Sequence, residues 1–304
     1  MDIWGEIKQA FKQGSIITRL IYINIAVFLT VRIVMVLFTL FKVDFQLLEW
    51  LALPSSIGVL VTRPWTLITY MFLHYNFIHI LFNLLWLYWF GKIFLMYFDE
   101  KKLLGTYFIG GLAGGILYIA AYNIFPAFEN IAQSGILLGA SASIIAIVVA
   151  SAVYAPNYSM HLFPISALFG PIKIIWIAAV SVLIYFLGIT GNNAGGNIAH
   201  MGGALWGFLY ISQLKKGNDF MGKFNNWLFS IESFFRKKSK MRVSYRRAST
   251  QKMTDWEYNK KKKAEKENIN EILDKIGKSG YESLTKKEKE ILFKMGNNRR
   301  GKPN

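Results

Sequence analysis

Apolar residues in this chain gather into long runs broken by short polar or aromatic-rich segments. A helix needs about 20 mostly apolar residues to cross roughly 30 Å of hydrocarbon, and six segments approach that length: 18–40, 77–97, 103–124, 138–155, 171–190 and 197–214. The pattern predicts an all-α membrane protein with six spans and a polar helical extension after the last. The first run is too long for the apolar region of a signal sequence and no small-x-small cleavage site follows it, so it reads as a retained helix.

The segments between and around the runs carry patterns of their own. In residues 1–17, Ile3, Trp4, Ile7 and Phe11 share one helical face, as in a short helix lying on a membrane surface; a frayed tail is the alternative. Residues 42–76 hold Asp44, Glu49, Trp50, Pro54, Arg63, Pro64 and Trp65, an aromatic content that suits a loop dipping into the interface. Gly105, Gly110, Gly111, Gly114 and Gly115 mark the third run, and Ala199, Gly203 and Gly207 repeat every four residues in the sixth. Small residues at that spacing let helix backbones approach closely.

Beyond the last run, Phe220, Met221, Phe224, Trp227, Leu228, Ile231, Phe234 and Phe235 form an amphipathic stripe, followed by the basic run Arg236, Lys237, Lys238, Lys240, Arg242, Arg246 and Arg247. An interfacial helix pinned to anionic lipid is expected there, and nucleic-acid binding is not, since no nucleic-acid fold signature accompanies the basic run. Residues 250–267 read as a solvated linker or fraying helix. Ile269, Ile272, Leu273 and Ile276 then make a helical face ended by Gly277, and Thr285 with Glu288 is a capping box opening a second helix ended by Gly296. Four parts follow: an N-terminal cytoplasmic segment 1–17, a membrane domain 18–214, an interfacial and basic segment 215–249, and a linker with a small hairpin 250–304. The hairpin has little core of its own, so a cytoplasmic protein partner or the membrane domain is expected to cover it.

Composition agrees with the pattern. The 304 residues are 53% hydrophobic with a mean hydropathy of +0.31, more apolar than a soluble domain requires. The formal charge of +17 is uneven: 25 of the 35 lysines and arginines, but only 11 of the 18 acids, follow Leu214. Lys8, Lys12 and Arg19 stand before or at the start of the first run, and Lys92, Lys101 and Lys102 lie around the second connection. The positive-inside rule then places both termini in the cytoplasm, which requires an even number of spans. The expected location is the bacterial inner membrane. Cysteine is absent, so disulfides and thiolate chemistry are excluded.

Polar side chains inside hydrocarbon are expensive and point to function, with interhelical hydrogen bonding as the plainer explanation for any one alone. His79 and Asn83 lie one turn apart on one face and can donate hydrogen bonds without a fixed charge, as stabilising an oxyanion requires. Ser141 follows Gly139 at the start of the fourth run, where free backbone N–H groups and the helix dipole also favour an anion. His200 supplies a base able to take a proton from a serine and return it to a leaving amine. No acid lies within the six runs, so a Ser141–His200 dyad is expected instead of a triad. The lack of acids also argues against a cation-coupled transporter and an aspartyl protease, and no His-Glu-x-x-His pattern offers a zinc site. No cofactor or metal is called for.

These motifs, in this order, resemble the rhomboid family of intramembrane serine proteases. The resemblance covers about residues 15–214 and matches a His-x-x-x-Asn motif at His79 and Asn83, a Gly-x-Ser-Gly motif at Gly139 and Ser141, and an Ala-His-x-x-Gly-x-x-x-Gly motif at Ala199, His200, Gly203 and Gly207. His74 fits a histidine often seen before the first motif, and the loop around Arg63 and Trp65 is similar to the family's membrane-dipping loop. The resemblance implies Ser141 as nucleophile, His200 as base, and His79, Asn83 and the Ser141 amide as oxyanion donors. The substrate helix of another transmembrane protein would reach them through a water-filled cavity in the six-helix bundle. Two positions depart: Ala142 replaces a glycine, and Ile145 stands where some members carry an aromatic that packs on the histidine. A non-catalytic relative that binds transmembrane helices, and a small-solute channel, are the alternatives.

Overall fold

The computed structural model describes residues 3–161, 166, 170–219, 222 and 255–300. The amphipathic stripe from Phe220 and the basic run to Arg247 fall almost wholly outside the described residues. Two compact units divide the chain, Met1–Lys237 and Lys238–Asn304.

The described residues of the first unit are mostly helical. Helix α1 (Ile3–Gln13) ends at Gly14, and Ser15 caps α2 (Ile16–Leu40), its hydroxyl accepting from the Thr18 amide. A connection follows with α3 (Leu47–Leu51), strand β1 (Leu53–Pro54), α4 (Ile57–Thr62) and α5 (Thr66–Thr69). Then come α6 (Phe77–Leu95), α7 (Glu100–Ile124), strand β2 (Ile136–Leu137), α8 (Ser141–Tyr154), the short pair β3 (Ser159–Met160) and β4 (Ile172–Lys173), α9 (Ile174–Leu187) and α10 (Ala194–Lys215). Asn76 and Asp99 cap α6 and α7 with their side-chain oxygens, as residues of these types do at helix starts.

Each of the six apolar segments largely coincides with one of α2, α6, α7, α8, α9 and α10, and three of these helices, α2, α6 and α7, are long and apolar enough to cross a membrane. Helices α8 and α9 begin three residues after the start of the apolar run that holds them. Gly139, at φ +130°, together with the extended residues of β2, delays α8 until Ser141, and β4 takes the first residues of the fifth run.

Helix α8 is the centre of the bundle, buried continuously from Ala142 to Ala152 and packed against α6, α7, α9 and α10. Helices α2 and α9 are peripheral and turn bulky side chains outward, among them Leu29, Ile33, Leu40, Leu183 and Phe186. So large an exposed apolar surface marks a lipid-facing boundary. At the core, glycine brings backbones into contact. A Cβ at Gly203 or Gly207 of α10 would overlap the Ala142 or Ala146 carbonyl oxygen of α8, and one at Gly114 of α7 would meet the Ala199 carbonyl at 2.6 Å and the Ala142 Cβ at 2.7 Å.

The connection 42–76 is folded against the bundle. Leu53 and Pro54 pair antiparallel with Leu137 and Ile136, and the Ser55 hydroxyl donates to the carbonyls of Ala132 and Gly135 at 2.7 and 2.9 Å. Trp50 stacks on Trp65 with ring centroids 6.2 Å apart while the Arg63 guanidinium lies 4.3 Å from the Trp50 ring. The aromatic loop is thus a compact platform.

The second unit differs from the sequence expectation in its helix limits. Helix α11 runs from Asp255 to Ser279, through the expected linker and past Gly277, and stops before Gly280, whose φ of +76° is a left-handed turn. Helix α12 (Lys286–Arg300) continues through Gly296. A single glycine costs a helix only about 1 kcal/mol, too little to end one whose neighbours, such as Lys275 and Lys278 of α11, are good helix formers. The Thr285 capping box is present: the Thr285 amide donates to Glu288 at 2.6 Å, and the Glu288 amide returns to the Thr285 hydroxyl at 3.4 Å.

Two outcomes are expected. Gly207→Val should destabilise the bundle by about 1–3 kcal/mol through overpacking, read as an earlier thermal transition in detergent, while Gly58→Ala, whose Cβ would meet only the Ser56 hydroxyl at an ordinary 3.9 Å, should change little. In the second unit, the Lys275 ammonium, 2.9 Å away, with the Thr285 donors, pulls the Glu288 carboxyl down to about 2. A lowered folded-state value stabilises the hairpin above the ordinary carboxylate range and is lost as pH falls toward 2. Protection of the amides at 288–290, corrected for intrinsic exchange, should therefore fall between about pH 4 and 2, and Glu288→Gln should flatten that dependence.

Candidate active site

Ser141 is the first residue of α8, and the chain reaches it by a fixed route. The Gly139 amide donates to the Tyr70 carbonyl at 2.9 Å, β2 is held by β1, and the positive φ of Gly139 turns the backbone into the helix. Position in the first turn leaves the Ser141 amide without an intrahelical acceptor. His200 sits in the second turn of α10, 9% exposed, and its Nε2 is 2.6 Å from the Ser141 Oγ. The glycines explain how side chains 59 residues apart meet: Gly203, one turn after His200, lies on the Ala142 carbonyl, and Gly114 receives Ala199. The His200 Nδ1 is buried and, among the described residues, has no hydrogen-bond partner.

His79 and Asn83 come to the same place from the first turns of α6. The Asn76 side chain accepts from the His79 amide at 2.8 Å, and a Cβ on Gly139 would stand 3.1 Å from the His79 Cε1 and Nε2, so the imidazole lies against the loop that delivers the serine. Asn83 donates from Nδ2 to the His79 carbonyl at 3.0 Å. His74 stands behind His79, with ring centroids 5.1 Å apart, its Nδ1 3.3 Å from the Phe72 carbonyl. Burial, with His79 nearby, pushes His74 down to about 4, so it is neutral at physiological pH.

Ser141, His200, His79 and Asn83 all line one cavity of about 790 Å³, which Phe82 and Trp86 of α6, Tyr185 of α9 and Asn192 and Asn193 before α10 also border. The structure thus brings four of the sequence-predicted residues together, sets Gly139, Gly203 and Gly207 in the backbone beneath them, and keeps His74 one layer back. Both departures have a local account. Ala142 is helical and its methyl rests against Gly114, so a side chain there meets no backbone strain. Ile145 lines the cavity, and the aromatic on His200 comes from elsewhere: the Tyr185 ring lies 4.2 Å from it, centroid to centroid. Nothing in spacing marked Tyr185, one apolar-run residue among many, nor the two asparagines of a short loop.

Residues 61–216, about half of the chain, match the Rhomboid domain, and residues 252–295 match a family of unknown function (DUF6576). A curated relative, RHOMBOID-like protein 12, mitochondrial, of Arabidopsis thaliana, is 28% identical over 164 residues, which cover 51% of this chain and 48% of that protein. The chain thus matches about half the length of this relative.

Gly139→Ala should displace the His79 ring and strain a backbone that needs positive φ. The expected result is a shift in the His79 ring resonances, with the bundle still folded by circular dichroism.

Proposed function

The chain belongs to the rhomboid family, and we propose that this membrane protein is an intramembrane serine protease that cuts transmembrane segments of other membrane proteins. The observation that carries the proposal is the 2.6 Å contact between the Ser141 hydroxyl and the His200 Nε2, made in a cavity that also holds His79 and Asn83.

In the proposed reaction His200 takes the hydroxyl proton as the Ser141 oxygen bonds to the scissile carbonyl carbon, and the carbonyl electron pair moves onto its oxygen. The Ser141 amide, His79 and Asn83 hold that oxyanion. Asn83 has a second side-chain N–H besides the one given to the His79 carbonyl, so it need not abandon its helix to donate. Collapse breaks the C–N bond, and the amine leaves with the proton from His200. Water, deprotonated by the same histidine, then hydrolyses the acyl-enzyme ester and frees Ser141.

We further propose six spans, with both termini cytoplasmic and the cavity opening to the other side. The 14 residues of α8 extend only about 21 Å, some 10 Å short of the hydrocarbon thickness. A central helix that short leaves room above Ser141 for water and an unwound peptide. The tail beyond residue 214 would meet anionic lipid through its basic run and a cytoplasmic protein through its hairpin.

A fluorophosphonate should label the purified protein, and the label should vanish in both Ser141→Ala and His200→Ala. His79→Ala or Asn83→Ala should lower kcat on a transmembrane substrate on the order of 10²-fold. An unlabelled parent that still binds transmembrane helices would instead support the non-catalytic relative, and solute flux indifferent to Ser141→Ala the channel.

A further inference from the structure

We infer that Tyr185 is the positioning residue for His200, doing by ring packing what a hydrogen-bonded acid does in a triad; this rests on the dyad proposed above. The His200 ring has one polar tether, the Ser141 hydroxyl on Nε2, because its buried Nδ1 has no partner among the described residues. A single bond along the ring's long direction leaves the ring free to swing about it. Its other close aromatic neighbour is Tyr185, 4.2 Å between centroids and inclined by 58°, the shortest ring separation among the described residues.

Tyr185 is suited to the task on two counts. Its ring lies against the imidazole at the edge of the cavity that both residues line. It also lies within the distance at which an aromatic ring attracts a cation, and the imidazole becomes a cation when the serine proton arrives. Ile145, which lines the same cavity from α8, offers neither a flat ring nor a π system. The tyrosine belongs to α9, a peripheral helix packed mainly on α8 and α10, so alignment of the base depends on α9 being seated.

The test uses the full-length protein in detergent or liposomes, with a transmembrane substrate and with ring-labelled histidine for NMR. Tyr185→Leu should lower kcat at least tenfold with KM changed less than threefold, and Tyr185→Phe should recover most of the loss. Independently of turnover, the His200 ring resonances should move and broaden in Tyr185→Leu and stay near their parental positions in Tyr185→Phe. Unmoved His200 resonances overturn the inference, whether kcat holds or the loss appears in KM, the latter being the sign of a substrate contact. If the parent neither cleaves nor labels while His200 responds to Tyr185→Leu, the packing role stands and the protease proposal falls.

Discussion

The contact of α8 with α10, backbone against backbone, is the constraint on which the rest depends. Helices whose side chains interdigitate keep their axes 8–10 Å apart, and the hydroxyl of a serine is too short to bridge such a gap comfortably to a histidine that must also present Nε2. Gly203 and Gly207 remove the side chains from the seam, so that the carbonyls of Ala142 and Ala146 lie directly on α10. Gly114 does the same from α7, leaving space for the methyl of Ala142. Three helices are thereby locked around the first turn of α8, and the 2.6 Å contact between Ser141 and His200 is a product of that packing.

In the proposed dyad no acid among the described residues orients His200, so its precision would come from sterics. Rings and backbone stand where a triad would have hydrogen bonds: Tyr185 against His200, Gly139 against His79, Asn76 at the amide of His79. An uncharged set of donors suits a site enclosed by apolar helices, where a permanent carboxylate would carry a heavy desolvation cost and where neutral donors act strongly on a developing charge.

The loop that precedes α6 contributes as scaffold. Tyr70 accepts from the Gly139 amide through its carbonyl and donates its hydroxyl to the Gly111 carbonyl at 2.5 Å, while β1 fixes β2. The serine turn is therefore tied to a folded platform of Trp50, Arg63 and Trp65 and does not rely on α8 alone. A sequence reading sees only tryptophans suited to an interface, because stacking between residues 50 and 65 depends on how the intervening turns fold.

Hydrophobic runs, the spacing of His79 with Asn83 and of Ala199, Gly203 and Gly207, and the Thr285 capping box were legible without coordinates, since each expresses a local rule: helical periodicity, small-residue packing, reciprocal capping. The family followed from motif order for the same reason. What the chain alone did not reveal was decided across distances it does not encode locally. The start of α8 at Ser141 was expected, but the Gly139 turn and the pairing of β2 with β1 that hold it there were not. The extension of α11 and α12 through Gly277 and Gly296 was a balance in which one weak residue lost to strong helical neighbours. Above all, the aromatic beside His200 came from Tyr185 on another helix. Sequence spacing specifies which residues share a face of one helix, whereas the partner across the seam is chosen by how closely glycine lets two backbones approach.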